Sequence, residues 1–146
     1  MAEEKPNLDE IELEPDYKPS EDEPYMNPKQ LAYFRRKLLD WRQQILEDAS
    51  HTRENMHNSS VQQPDEIDRA SVESDRYTEL RTAEREQRLL NKIDAALRRI
   101  DNDEYGYCEV SGEPIGVRRL DARPVATMTI EVKEAQERRE RHIAED

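Results

Sequence analysis

Two long stretches free of proline and glycine constrain this chain most strongly, one between Pro28 and Pro64 and one from Asp65 to Tyr105. In both, apolar positions recur at alternating spacings of three and four residues, the pattern of a helix that buries one stripe against a partner helix. The first stripe consists of Leu31, Phe34, Leu38, Trp41 and Ile45, and the second of Ala83, Glu86, Leu90, Ile93, Leu97 and Ile100. The sequence therefore predicts two long amphipathic helices.

The two stripes also predict how the helices pair. In an antiparallel pair, the numbers of facing residues have a constant sum, and pairing Leu38 with Leu90 gives 128. Half of this sum falls on Pro64, where the composition already indicates a break. We therefore expect an antiparallel coiled-coil hairpin over residues 27–104, with its tip near residues 62–70.

The remaining segments complete a mainly α fold. Residues 1–26 are acidic and rich in proline, and we expect a largely disordered arm whose order arises only from docking. Residues 105–129 predict a small, degenerate zinc-finger-like module with two extended pieces, Tyr105–Val110 and Pro114–Leu120. Residues 130–146 predict a C-terminal helix.

Composition excludes several functional classes. Charged residues make up 40% of the 146 residues and hydrophobic ones 34%, which disfavours a compact enzyme with a deep apolar pocket. The net charge of −12 disfavours binding to duplex nucleic acid. The sequence has no apolar run of membrane-spanning length, no secretory signal and only one cysteine, so we expect a cytoplasmic protein that does not enter membranes.

Three clusters could carry chemistry, and each has two interpretations. At the predicted tip, Asp65, Glu66 and Asp68 either cap a helix or present carboxylates to a partner or a metal ion. Cys108 begins a turn of the kind that opens a zinc ribbon, but other residues stand where three further thiolates are needed, namely Ser111, Thr129 and Val132. Basic residues near the module are either solvated or form an anion site, namely Lys92, Arg118, Arg119, Arg123 and Lys133.

Four motifs together resemble the DksA family of bacterial RNA polymerase-binding transcription factors. They are Tyr25-Met-Asn, Asp65-Glu-Ile-Asp-Arg-Ala, Asp103-Glu-Tyr-Gly-Tyr-Cys and Ile115-Gly-Val-Arg-Arg-Leu-Asp-Ala-Arg-Pro. The resemblance runs from about Tyr25 to the C-terminus and keeps the order and spacing of the motifs. The arm before Tyr25 is not covered.

The resemblance implies a regulator rather than an enzyme. Members insert a coiled-coil hairpin into the secondary channel of RNA polymerase, between its β and β′ subunits, and destabilise open complexes together with the alarmone ppGpp in the stringent response. The implied partners are therefore polymerase and ppGpp, without sequence-specific DNA binding, and we expect a monomer. The implied tip residues are Asp65, Asp68 and Ala70, and the implied ppGpp residues are Leu89, Lys92, Arg123 and Lys133.

This chain departs from the resemblance at the zinc site. Of the usual four cysteines only Cys108 remains, so we expect no zinc and no other resident cofactor. We expect hydrophobic packing to hold the module instead, through Val110, Ile115, Val117, Met128, Ile130 and Val132.

Two alternatives to the regulator stay open. The acidic tip also fits a factor of the Gre type, which holds a metal ion and stimulates transcript cleavage by polymerase. The coiled coil also fits a purely structural adaptor, for which Asp68→Asn would have no effect beyond a small loss of helix capping.

Overall fold

A computed structural model describes the backbone of residues 5–61 and 66–145, and the side chains among them except those of residues 56–68, 144 and 145. The described part is mainly helical, as predicted. Its helices are α1 (Pro28–Val61), α2 (Glu66–Asp101), α3 (Val117–Ala122) and α4 (Ile130–Glu145), preceded by a 3₁₀ turn at Leu8–Glu10. None of the described helices is long and apolar enough to cross a membrane.

Helix α1 begins where the sequence predicts. The side-chain oxygen of Asn27 accepts a hydrogen bond from the backbone N–H of Gln30 at 3.0 Å, and Pro28 is the first helical residue. The buried Gln30 side chain in turn accepts a bond from the backbone N–H of Met26 at 2.8 Å. The cap therefore satisfies backbone donors that would otherwise lack partners at the start of the helix.

The chain forms two compact units, Met1–Leu38 with Ala95–Asp146, and Leu39–Asp94. In the second unit, the stretches of α1 and α2 contact each other through an ion pair in which the Arg42 Nε atom lies 2.9 Å from the Asp94 Oδ1 atom. In the predicted register the numbers of facing residues add up to 128, whereas the numbers of Arg42 and Asp94 add up to 136. The predicted register would therefore place these two residues eight positions, or about 12 Å of helix, away from each other, which is too far for their side chains to form an ion pair.

The burial pattern explains the corrected register. Ile45, Leu90 and Ile93 are buried in the second unit, whereas Ala83 is exposed and does not belong to the buried stripe. A pattern of alternating three and four spacings repeats every seven residues, so it fits sums of 128 and 135 equally well. Ile45 and Leu90 match the second value. The predicted pairing of Ile45 with Ala83 is therefore wrong.

The first unit contains the larger apolar core. The start of α1 contributes Phe34 and Leu38, and the end of α2 contributes Ile100. The Phe34 ring lies 5.7 Å from the ring of Tyr105, measured between centroids, so that this core joins the hairpin base to the module. The module adds further buried side chains, namely Cys108, Ile115, Val117, Leu120 and Thr129.

The module differs from the prediction in two respects. Residues 117–122 form the short helix α3 rather than an extended piece, and the only β pairing described is a single antiparallel bridge between Tyr107 and Pro114. Val110 is 67% exposed and Ile130 is 49% exposed, so these two residues do not form the packing proposed for them. Local spacing could not show this, because module residues bury their side chains against α1 and α2.

The described part of the acidic arm belongs to the first unit and contacts α1 and the end of α2. The Lys5 ammonium donates to the backbone oxygen of Asp101 at 2.6 Å, and the Arg35 Nε atom donates to the Asp9 carboxylate at 3.0 Å. Arg36 donates to the backbone oxygen of Ile11. These contacts link the described part of the arm to α1 and to the end of α2, and disorder of the arm stays a prediction.

Candidate functional site

Two of the three predicted tip residues, Asp68 and Ala70, belong to the beginning of α2. Ala70 is exposed on this helix. The backbone of Asp68 is helical, but its side chain lies outside the described residues, as does the whole of Asp65. The role of these three residues therefore stays a prediction from the resemblance.

The four predicted ppGpp residues divide between the two units. On α2, Leu89 is partly buried and Lys92 is exposed, both in the unit Leu39–Asp94. In the other unit, Arg123 follows α3 and is exposed, and Lys133 lies partly buried on α4. The positive charge needed for a phosphate ligand is thus available at solvent-accessible positions.

Arg123 lines a cavity of about 390 Å³, here named the arginine pocket. Its lining residues are Glu21, Ile115, Gly116, Arg118, Arg119, Ala122, Arg123 and Ile130. The Arg119 Nε atom donates to the backbone oxygen of Met128 at 3.0 Å, which fixes this guanidinium on the pocket wall. Three arginines around one cavity form a surface suited to phosphate or carboxylate groups.

A network of three side chains holds α3, which carries two of these arginines, against α1. The Asp121 Oδ1 atom accepts hydrogen bonds from the Tyr33 hydroxyl and from the Lys37 ammonium, both at 2.6 Å. Burial raises the pKa of Tyr33 to about 12, and the bond to Asp121 adds to this rise. Burial alone would raise the pKa of Asp121, but hydrogen bonds from Lys37 and Tyr33 lower it.

A second tyrosine joins the arm to the module. The Tyr25 hydroxyl donates to the backbone oxygen of Gly106 at 2.6 Å and accepts a bond from the backbone N–H of Gly116 at 2.9 Å. Sequence reasoning assigned no role to Tyr25 or to the network around Asp121. The motif beginning at Tyr25 was the available signal, but its bonding partners lie more than 80 residues away.

The Cys108 thiol lies among hydrogen-bond donors. Burial alone would raise its pKa, but bonds from the Ser111 hydroxyl and from the backbone N–H groups of Ser111, Thr129 and Val110 lower the pKa to about 6. The Ser111 backbone nitrogen lies 3.5 Å from the sulfur. The sulfur is therefore held by donors from both sides of the finger.

These residues do not fit a four-thiolate zinc site. Thr129 is buried, and its hydroxyl accepts a hydrogen bond from the backbone N–H of Val132 at the start of α4. Within residues 5–55 and 69–143, no cluster of three or more histidine, cysteine or carboxylate side chains could hold a metal ion. A closed structural zinc site needs four ligands, and Cys108 supplies one.

The long helical hairpin, the small finger with one remaining thiol and the arginine pocket define a coiled-coil protein with a degenerate zinc finger. Family comparisons match both parts. Residues 30–100 match the family described as "DnaK suppressor protein DksA, N-terminal domain". Residues 103–138 match "Prokaryotic dksA/traR C4-type zinc finger". The chain belongs to the DksA family.

Individual relatives agree with this assignment. The chain is 52% identical over 131 residues to the RNA polymerase-binding transcription factor DksA of Caulobacter vibrioides, covering 90% of this chain and 92% of the relative. It is 41% identical over 128 residues to the protein of the same name from Escherichia coli K12, covering 88% and 85%. Among solved structures, it resembles transcription factor DksA2 from Pseudomonas aeruginosa, with a TM-score of 0.76, 46% identity and coverage of 81% and 91%.

Proposed function

We propose that this protein regulates transcription by binding bacterial RNA polymerase and inserting its hairpin tip into the secondary channel, where it destabilises open complexes. The observation that carries the proposal is the pair of helices of 34 and 36 residues, the second of which carries Asp68-Arg-Ala70 as its third to fifth residues. Membership in a family whose relatives are named for polymerase binding supports the same function.

The proposal divides the chain by task. The first unit, with its apolar core and arginine pocket, supplies most of the affinity for polymerase. Asp65, Asp68 and Ala70 at the tip supply the activity. The protein works as a cytoplasmic monomer, is not an enzyme and does not read DNA sequence.

We further propose ppGpp as the effector. Leu89, Lys92, Arg123 and Lys133 would bind it where the factor meets polymerase. Three of the four side chains are cationic, and charge-assisted bonds from such groups to phosphate are among the stronger hydrogen bonds in proteins. The exposure of Lys92 and Arg123 is consistent with a site that a partner surface completes.

Transcription from a ribosomal RNA promoter with purified bacterial polymerase tests this proposal. We expect repression by the wild-type protein, deeper repression with ppGpp, and loss of both in Asp68→Asn. Asp75→Asn is the matched control, because Asp75 is an exposed acid on the same helix. Arg123→Gln should lose the additional repression that ppGpp causes, measured at concentrations where the variant occupies polymerase as fully as the wild type.

The same purified proteins also distinguish the proposed regulator from the two alternatives, a Gre-type cleavage factor and a structural adaptor. If the protein stimulates RNA cleavage in backtracked complexes and does not repress the promoter, the Gre-type function replaces the proposal. If wild type and Asp68→Asn bind polymerase equally and neither changes transcription, the protein is an adaptor.

A further inference from the structure

The acidic arm reaches the arginine pocket. Glu21 is the one acidic residue that lines the pocket, and its Oε1 atom lies 3.9 Å from the Arg118 Nε atom. Both side chains are mostly exposed, so this pair by itself contributes little to stability. The position of Glu21 beside the pocket therefore needs another cause.

That cause is the fold of the arm around residues 20–23. The Glu23 carboxylate accepts hydrogen bonds from the Tyr17 hydroxyl at 2.9 and 3.0 Å and from the backbone N–H of Ser20 at 3.1 Å. The buried Gln30 amide donates to the backbone oxygen of Ser20 at 3.1 Å. These bonds hold the turn in place on both sides of Glu21, whether or not Glu21 pairs with Arg118.

We propose that this turn, Ser20–Glu23, is a built-in competitor for the arginine pocket, in which Glu21 lowers the affinity of the pocket for phosphate-bearing ligands. The inference rests on the proposed function, because ppGpp is such a ligand and Arg123 is one of its proposed contacts. An arriving phosphate must either displace the Glu21 carboxylate from Arg118 or bind beside its negative charge. Both routes weaken binding.

The chemistry of the pocket favours phosphate over other ligands. Arg118, Arg119 and Arg123 present guanidinium groups, which match phosphate oxygens in a bidentate geometry. Ile115 and Ile130 add apolar surface that a nucleotide base or sugar can cover. The Glu21 carboxylate lies at the edge of the pocket, so a ligand that carries more negative charge than one carboxylate competes best for the arginines.

A titration of the free, full-length protein with inorganic pyrophosphate tests the inference. The side-chain N–H resonance of Arg123, which lines the pocket and is unchanged in every variant, would be followed by NMR in the wild type, in Glu21→Gln and in Glu14→Gln. Glu14 is the matched control, because it is an exposed glutamate of the same arm that does not line the pocket. Glu21→Gln should bind pyrophosphate about two- to fivefold more tightly than the wild type, and Glu14→Gln should bind like the wild type.

A second pair of variants isolates the contact. Arg118→Gln alone and Arg118→Gln combined with Glu21→Gln form this pair, and the gain in affinity from Glu21→Gln should be smaller between them than in the presence of Arg118, because no guanidinium is then freed. Equal affinities in the wild type and Glu21→Gln would overturn the proposal, as would an equal gain in Glu14→Gln or the absence of any pyrophosphate-dependent shift. The titration contains no polymerase, so its outcome is independent of whether the regulatory function holds.

Discussion

The Tyr33 hydroxyl on α1 donates a hydrogen bond of 2.6 Å to the Asp121 carboxylate on α3, 88 residues further along the chain. The same oxygen accepts a bond from Lys37, one turn along α1. α3 is only six residues long and could not hold its position alone. This link therefore fixes the helix that carries Arg118 and Arg119.

Replacing the acceptor should destabilise the protein. Asp121→Asn removes the charge that both Tyr33 and Lys37 bind, and because the site is partly exposed we expect a loss of about 1–2 kcal/mol in the free energy of unfolding. Urea denaturation would measure it. Asp40→Asn, at an exposed position on α1, should stay within about 0.5 kcal/mol of the wild type. Equal stabilities of the two variants would show that the link contributes nothing.

The same substitution should have a pH-dependent effect. The pKa of Asp121 is lowered in the folded protein, whereas in the unfolded chain it lies near its ordinary value of about 3.9. The stability that the carboxylate contributes is therefore fully present above about pH 4 and is lost as the pH falls through the folded pKa. The difference between wild type and Asp121→Asn in urea denaturation should shrink from pH 7 to pH 3. A constant difference would refute the assigned charge interaction.

Two glycines provide a matched test of the contact between arm and module. Gly106 has φ +92°, and an added Cβ atom would lie 2.8 Å from the Met26 Cγ and Sδ atoms. Gly112 has φ +75°, and nothing lies within 4 Å of its Cβ position. Both alanine variants place a Cβ atom on a backbone with positive φ, and this steric strain costs about 1–2 kcal/mol. Gly106→Ala should cost about 1–3 kcal/mol more than Gly112→Ala in thermal or urea unfolding, because Met26 must also move.

Such a difference would show that the arm packs on the module in solution as described. If the two glycine variants were equally stable, the packing of Met26 on Gly106 would have no energetic role.

Much of the fold follows from local pattern, and the errors have a physical origin. The starts of α1 at Pro28 and of α4 at Ile130 depend on neighbouring residues, and both lie within one residue of the predicted bounds. The heptad pattern leaves the register open to shifts of seven residues, and the Arg42–Asp94 contact and the exposure of Ala83 distinguish them. The interior of the module and the bonds of Tyr25 depend on residues distant in sequence, which no local spacing reveals.

The candidate site, like the fold, could be predicted from the sequence only in part. Arginines at 118, 119 and 123 were visible as a basic cluster, since they share a short segment. Glu21 was not linked to them, because almost a hundred residues separate it from Arg118 and the link depends on a turn held by the buried Gln30.

The finger should fold without metal. A structural zinc contributes about 10–16 kcal/mol in zinc-finger peptides, so its removal from a genuine site would unfold the module. Here Cys108 is the one thiol and is held by hydrogen bonds from the backbone and Ser111. The purified protein should contain substoichiometric zinc by metal analysis, and EDTA should leave its Tm unchanged. One equivalent of bound zinc, or a fall in Tm with EDTA, would contradict this.

The lifetime of open complexes on a ribosomal RNA promoter tests tip-dependent regulation most directly. Purified polymerase would be challenged with a competitor after addition of wild type, Asp68→Asn or Asp75→Asn, at concentrations where all three occupy polymerase equally. We predict that the wild type and Asp75→Asn shorten the lifetime, further so with ppGpp, and that Asp68→Asn leaves it unchanged. An unchanged lifetime with bound wild-type protein, or equal shortening by Asp68→Asn, would contradict the proposed mechanism.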